Sequence, residues 1–578
     1  MSTTAVEFRG AVVQRDVMVP MRDGVRLATD IYWPSEDGQR AADGMFPLLV
    51  SRTPYGKQRP GMGRRAGSQE QAERAAHAGF AVAIQDTRGR YNSEGAFRSM
   101  QDDGPDGWDT LEWLAKQPWC NGRIGMYGVS YLGAVQMMLA PLRPLPLVAA
   151  FSEQPSSDEF TDRTFHSGAL TLANVEGWAV NSSGEQYNQR LASPLREQAI
   201  AELEQYRQMG AGALEVLPLE DVPWLRLNPG LWKDVLAHLE DPSFFAANDI
   251  RSQIHRVNVP IYHLGGWFDP FLRNTIDHYK GAMAVQPDQR LILGPWTHGG
   301  MAESAFEDGS FDDFGYALAW HDRWLRGRPG HPAQAHPVIV YVMGANRWRA
   351  EQGWPLPGTV VRDYYLRTGG GLSPLAPGGA EDAADTYAYD PSRPVPSPSP
   401  MVACADVRSV LERDDVLVYA TTPLEESVEV TGEISATLYA ASSAEDTDFM
   451  LRVVDMAPTG EAYSVVDGIV RARYRRSRTL GVALAPNVVE RYEINLWATS
   501  LVFERGHRIG VIISSSNFPK YDRHPNVFRD LRKTTERDFV VATQRVIHTA
   551  EMPSAVHLPV IPRERPREWI DNPMPLDA

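Results

Sequence analysis

Cysteine is nearly absent: Cys120 and Cys404 are the only two in 578 residues. A disulfide framework is thereby excluded, and two reduced thiols are expected. Positive charge is also in short supply, since 57 Lys and Arg against 73 Asp and Glu leave a net charge of -16. No basic run offsets this, so neither nucleic acid nor an anionic membrane is an expected partner; both are held by clustered Lys and Arg. The N-terminus MSTTAVEFRGAVVQRD has no apolar signal-peptide core, and no uncharged run approaches the ~18 residues that a membrane span needs. The expected location is the cytoplasm. HExxH and paired CxxC motifs are missing, and the acidic doublets Asp102-Asp103 and Asp312-Asp313 read as helix-start charges, so no metal is expected. No cofactor is called for either.

What is present is a large apolar complement, 43% of residues with 15 tryptophans, enough for roughly three domains by length. In the first third, short buried-strand runs at 46–52, 80–86, 123–130 and 147–153 alternate with helical stretches at 68–78, 108–116 and 131–139. That order predicts a largely parallel sheet, an α/β fold, with an antiparallel hairpin added around Arg22-Asp23-Gly24. From about Pro155 to Val257 the strand rhythm stops and amphipathic helices such as 193–210 take over, which predicts a helical insertion. Strand runs resume at 259–267, 290–296 and 337–344, so the insertion should cap an interrupted sheet. Beyond the Gly- and Pro-rich stretch near 367–400, alternating strands with little helix between them predict a separate antiparallel β-sandwich.

The segment "YGVSYLG", 127–133, nearly spells the G-x-S-x-G nucleophile elbow, but its second glycine is one residue late and Leu132 stands where a small residue belongs. Ser130 ends a predicted buried strand and precedes a predicted helix, the context in which such a serine is exposed for attack. A Gly-x-Ser alone is weak, and its partners decide the matter. In a serine hydrolase of this order an acid and then a histidine follow, each after a later strand. Asp269 lies just past "VPIYHLGGW" and His298 just past "RLILGPW", both at carboxyl ends of predicted strands, where open α/β sheets bind ligands. Taken singly, Asp269 before Pro270 could simply start a helix, and a loop histidine is usually a surface residue. For the oxyanion, one donor should be the N–H of Tyr131; Tyr55, in the loop after the third strand, could supply a phenol.

Two other classes compete with a serine hydrolase. "GMGRRAG", 61–67, before a helix, with Asp86 ending the next strand, is a loose version of a dinucleotide fingerprint, but its spacing is GxGxxxG and it starts well beyond the strand. An inactive hydrolase fold serving as a binding protein would be favoured only by an incomplete set of catalytic residues.

The motifs "RTPYGK", "DTRGRYNSEG", "YGVSYLG", "GGWFDPFLRNT", "GPWTHG", "DTDFMLRVVDM", "DGIVRARYR" and "SSSNFPKYDRHPN" resemble, in order and along nearly the whole chain, the X-prolyl dipeptidyl-peptidase family of serine hydrolases, in its bacterial cocaine esterase-like (CocE/NonD) branch. In that family the elbow reads G-x-S-Y-x-G, so the late glycine is the family's own spacing. The resemblance implies an α/β-hydrolase domain (1–154 and 256–355), a helical cap (155–255) and a C-terminal jelly-roll domain (356–578). It assigns nucleophile, acid and base to Ser130, Asp269 and His298, and the oxyanion hole to Tyr55 and Tyr131. It also points to Phe165, Trp178 and Phe271 as walls of an apolar or aromatic acyl pocket. Related α-amino-acid ester hydrolases carry acids directly after the triad aspartate; here Pro270 and Phe271 stand there, which speaks against amino-ester specificity. The implied activity is hydrolysis of a small-molecule carboxylic ester through an acyl-enzyme, with an amidase, acylase or X-prolyl peptidase using the same triad as the alternative. A homodimer is left open.

Overall fold

The computed structural model describes residues 8, 10–58, 68–182, 193–225, 232–378, 384–398 and 404–576. The expected hairpin is formed by strands β1 (Gly10–Pro20) and β2 (Arg26–Ser35), antiparallel, with Gly24 N–H closing the turn on Met21 O at 3.0 Å. It joins a parallel core of β3 (Phe46–Thr53), β4 (Ala81–Asp86), β5 (Cys120–Val129) and β6 (Leu147–Glu153). Every residue of β3 and β4 is buried, because helices cover both faces of the sheet; this is why these strands read as unbroken apolar runs. Helices α1 (Gln69–His77), α2 (Asp103–Ala115) and α3 (Tyr131–Leu139) connect them.

Helix α2 starts five residues before the predicted 108, within Asp103-Gly104-Pro105, a sequence that looks like a break. The glycines there serve close approach: a Cβ on Gly104 would lie 3.2 Å from Met138 O of α3, and one on Gly107 3.2 Å from the Arg52 guanidinium. Proline is tolerated because the first helical turn has no intrahelical use for its N–H.

After β6 the chain leaves the sheet. A short hairpin, β7 (Phe165–His166) with β8 (Ala169–Leu170), is followed by α4 (Leu172–Ser182) and α5 (Ser193–Met209), and these pack with 3₁₀ turns around an apolar core including Leu172, Val175, Trp224 and Trp232. The sheet then resumes with β9 (Ile261–Phe268), β10 (Arg290–Thr297) and β11 (Val338–Val342), all parallel, and antiparallel β12 (Arg347–Glu351). Its spatial order is β1-β2-β4-β3-β5-β6-β9-β10-β11-β12. Helices α6 (Leu272–Met283) and α7 (Asp313–Arg326) follow β9 and β10.

From Val360 to Val560 the strands build a second, mostly antiparallel sheet system, whose longest pair is Val428–Ser442 with Glu490–Phe503. The C-terminal residues return to the first sheet: Glu568–Ile570 pairs with β12. The fold class is therefore α/β with a C-terminal all-β domain. Cys120 is buried, Cys404 exposed, and neither is bonded. Among the described residues, no helix is long and apolar enough to cross a membrane.

Candidate active site

Ser130 sits between β5 and α3 with φ 65° and ψ -121°, a conformation that a non-glycine residue holds only when its surroundings impose it. The surroundings are specific. Ser130 N–H is held by Glu153 O of β6 at 2.9 Å. Gly128 and the late Gly133 both exist for lack of room: a Cβ on Gly128 would lie 2.5 Å from Leu132 Cβ, and one on Gly133 2.6 Å from Glu153 O. Helix α3 thus lies against β6 at Gly133, and the space that Leu132 needs is supplied by Gly128. The displaced glycine is where α3 comes up against the β6 backbone.

Asp269 follows β9 and is wholly buried; His298 follows β10 and is 22% exposed. Their 2.8 Å contact, Nδ1 to Oδ1, places the imidazole proton on Nδ1, since an ionised carboxylate only accepts. Burial pushes the Asp269 carboxyl above the ordinary range, opposed by His298 and the Phe271 N–H. The Phe271 ring stands edge-on to the imidazole, centroids 5.0 Å apart.

Tyr55 is fixed from several directions. Its N–H is taken by Thr53 Oγ1 at 3.0 Å, Arg90 Nε donates to the preceding Pro54 O at 2.8 Å, and the Tyr91 hydroxyl donates to Tyr55 O. Gly56, at φ 95°, leaves room for the Tyr91 ring, which a Cβ would meet at 2.5 Å. Two quoted motifs, RTPYGK and DTRGRY, therefore interlock to hold one phenol; sequence reasoning gave a role to Tyr55 and none to Arg90 or Tyr91. Lys57 completes the lock, donating from N–H to Asp86 Oδ1 at 2.8 Å and from its ammonium to Asp86 Oδ2 at 3.2 Å. Asp86 is so committed, which removes the ribose-binding acid from the dinucleotide reading; GMGRRAG itself lies outside the described residues.

Trp178, on α4 of the cap, donates its indole N–H to the Tyr55 hydroxyl at 3.1 Å and stacks on the Tyr131 ring, 6.2 Å away at an interplanar angle of 8°. Tyr131 has no exposed surface; its hydroxyl donates to Asp103 Oδ2 at 2.6 Å and accepts from Met100 N–H at 3.0 Å. Burial pushes Asp103 up to about 6, with Arg52 and Tyr131 opposing. As the first residue of α3, Tyr131 has a backbone N–H with no acceptor inside the helix. Asp102, Asp103, Asp312 and Asp313 all lie at helix starts, Asp312 capping Gly315 N–H at 3.0 Å.

Ser130, His298, Tyr55, Trp178 and Phe271 line one cavity of about 1150 Å³. Its wall also carries Glu70, Glu303, Asp312 and Asp313, together with Arg163 and with Arg74, which is paired to Asp312. Phe165 is elsewhere: it is 2% exposed in the cap core, beneath the Arg478 guanidinium at 4.9 Å, and does not line this cavity. Five of the six side chains expected at the site are thus brought together, Asp269 is joined to it through His298, and Tyr131 is not among the residues that line it.

Residues 23–300 match the model of the X-Pro dipeptidyl-peptidase (S15) family, and residues 331–557 that of the X-Pro dipeptidyl-peptidase C-terminal non-catalytic domain. Cocaine esterase of Rhodococcus sp. (strain MB1 Bresler) is 37% identical over 95% of this chain and 99% of its own. Among solved structures, an aminopeptidase of a marine sediment Thaumarchaeota archaeon (TM-score 0.80, 27% identity) and an α-amino acid ester hydrolase (TM-score 0.79, 26% identity) each match 97% of this chain and 98% of theirs. With the likeness extending over both domains, the chain belongs to the X-Pro dipeptidyl-peptidase S15 family of serine hydrolases.

Proposed function

We propose that this protein hydrolyses carboxylic esters through an acyl-enzyme on Ser130. The observation that carries the reading is that a strained serine elbow and a histidine bonded to the buried Asp269 line one cavity. In this reading Ser130 Oγ attacks the ester carbonyl, His298 Nε2 takes its proton and then gives it to the leaving alcohol, and Asp269 holds the tautomer and stabilises the imidazolium. The oxyanion is received by Tyr131 N–H and the Tyr55 hydroxyl. Because Trp178 N–H already occupies one lone pair of that hydroxyl, its own proton is directed elsewhere, which suits it as a donor. Water then attacks the acyl-enzyme with His298 as base.

Phe271 and Trp178 give the cavity an apolar wall beside His298 and Tyr55, which favours an apolar or aromatic acyl group; Phe165 has no part in it. Amides and peptides form the second reading, favoured by the likeness to an aminopeptidase, since they proceed through the same acyl-enzyme. The test is a panel of aryl, alkyl and amino-acyl esters with matched amides, on wild type and Ser130→Ala. Turnover of aryl esters by wild type, with loss of at least about 10⁴-fold in Ser130→Ala, is expected. Wild-type turnover by the alanine variant would overturn the assignment.

A further inference from the structure

His298 is carried by a tight turn after β10, in which Thr297 pairs with Phe268 of β9 and Gly300 N–H donates to Thr297 O at 3.2 Å. Thr297 ends β10, and Gly299 and Gly300 follow, Gly299 at φ 70°. Glycine at this place gives the loop conformational freedom that a general base has to lose. Asp269 fixes the ring from one side only.

A further constraint comes from the end of a strand that does not pair with β10. Gln154, wholly buried and at φ 42°, directly follows β6. Its Oε1 accepts from Gly299 N–H at 2.6 Å and its Nε2 donates to Thr297 O at 3.0 Å. One amide therefore grips the backbone on both sides of His298. The two contacts settle its orientation, because a flipped amide would set donor against donor and acceptor against acceptor.

In the sheet, β9 lies between β6 and β10, so Gln154 has to reach across it. It crosses at Gly266, where a Cβ would lie 3.0 Å from Gln154 Nε2 and 2.3 Å from Trp296 O. The rest of the junction is tied down as well: Gln154 N–H donates to Leu264 O at 2.8 Å, and the neighbouring Glu153 O holds Ser130 N–H at 2.9 Å. A continuous set of hydrogen bonds thus runs from the Ser130 turn through residues 153–154 to the His298 loop.

We propose that Gln154 is a positioning residue that sets His298 relative to Ser130 through the amide clamp on Thr297 and Gly299. The proposal rests on the reading of Ser130 and His298 given above. Proton transfer from the serine depends on where the imidazole is held, and a misplacement of about 1 Å can cost on the order of a hundredfold in rate. Gln154 itself does not line the cavity, so its side chain makes no contact with substrate there and the loss should fall on the chemical step.

The experiment is pre-steady-state labelling with a p-nitrophenyl alkylphosphonate, together with kcat and KM on a p-nitrophenyl ester, for wild type, Gln154→Met, Gln154→Glu and Ser130→Ala. Methionine keeps the length and loses both polar contacts. Glutamate keeps the shape and the Gly299 acceptor but turns the Thr297 donor into an oxygen. The expected result is a full labelling titre with a rate constant lowered about tenfold or more in both Gln154 variants, and KM within about twofold. A wild-type rate constant at full titre in either variant would overturn the proposal. So would a reduced titre with an unchanged rate constant, which marks loss of folded molecules only. If Gln154→Met does not fold, the glutamate variant decides alone. Labelling of Ser130→Ala at the wild-type rate would overturn the reading of the nucleophile, a separate failure from that of the clamp.

Discussion

Tyr55 lines the cavity and its hydroxyl accepts one indole N–H, so its contribution can be separated from that of Trp178. Tyr55→Phe should lower kcat about a hundredfold or more, roughly 3 kcal/mol of transition-state stabilisation, with KM little changed. Trp178→Phe removes the N–H and keeps a ring; it should cost about 1 kcal/mol, roughly fivefold in kcat. Combined with Tyr55→Phe it should cost almost nothing more, because its partner is already gone. Additive losses in this cycle would show that Trp178 acts on substrate and not through Tyr55. At this scale the sequence was legible where residue types recur in a fixed order after successive strands: Ser130 and His298 line one cavity, and Asp269 is bonded to His298. It was silent where the role depends on a neighbour far along the chain: nothing in "SEQPSS" signals that Gln154 reaches Thr297, and nothing in "GWAV" signals that Trp178 meets Tyr55. Phe165 was misplaced for the same reason, because an aromatic on a cap element faces either the cavity or the cap's own core.

Helix α4 carries Trp178 on one side and, two residues earlier, buries Glu176 against the cap core, where it accepts the Trp224 indole N–H at 2.8 Å. Burial pushes this carboxyl up to about 7 from 4.5, only partly opposed by Trp224. Between those values the folded protein holds a proton that the unfolded chain has released, so this group's contribution to stability falls as pH rises through the window and is lowest above it. Glu176→Gln keeps an acceptor for Trp224 and removes the ionisation. Its melting temperature should match wild type near pH 4 and exceed it at pH 8, by the equivalent of up to about 3 kcal/mol. A difference that does not grow with pH would contradict the assignment of that burial cost. The elements themselves were largely readable, since parallel strands buried on both faces leave apolar runs that composition reveals. Helix α2 was read short because Gly104 and Pro105 look like a break when their packing against α3 is unseen.

Across the whole molecule, the two sheets are joined by a buried charge network. Arg349 of β12, wholly buried, pairs with Glu351 at 2.7 Å and with Glu429 of the second sheet at 2.5 Å; Arg565 and Arg567 reach the same two carboxylates. Removing one partner from such a network leaves a buried charge uncompensated, so Glu429→Ala should lower stability by about 3–5 kcal/mol, read as a fall in melting temperature with both domains unfolding together. Trp569 of the returning C-terminal strand packs over Arg347 and Arg349, at 4.8 and 5.5 Å. The change from α/β to all-β was legible in the strand rhythm, whereas the return of Glu568–Ile570 to the first sheet was not, because three residues carry no periodicity. The expected boundary at 356 therefore has a strand of the first sheet beyond it.

In the proposed reaction the atom that is acylated is Ser130 Oγ. Wild-type protein quenched during turnover of a p-nitrophenyl ester of an aromatic acid, digested and mapped by mass spectrometry, should carry a single acyl group on the peptide containing Ser130, and the same peptide should be unmodified in Ser130→Ala. An acyl group on any other residue, or full ester turnover with Ser130 never modified, would contradict it.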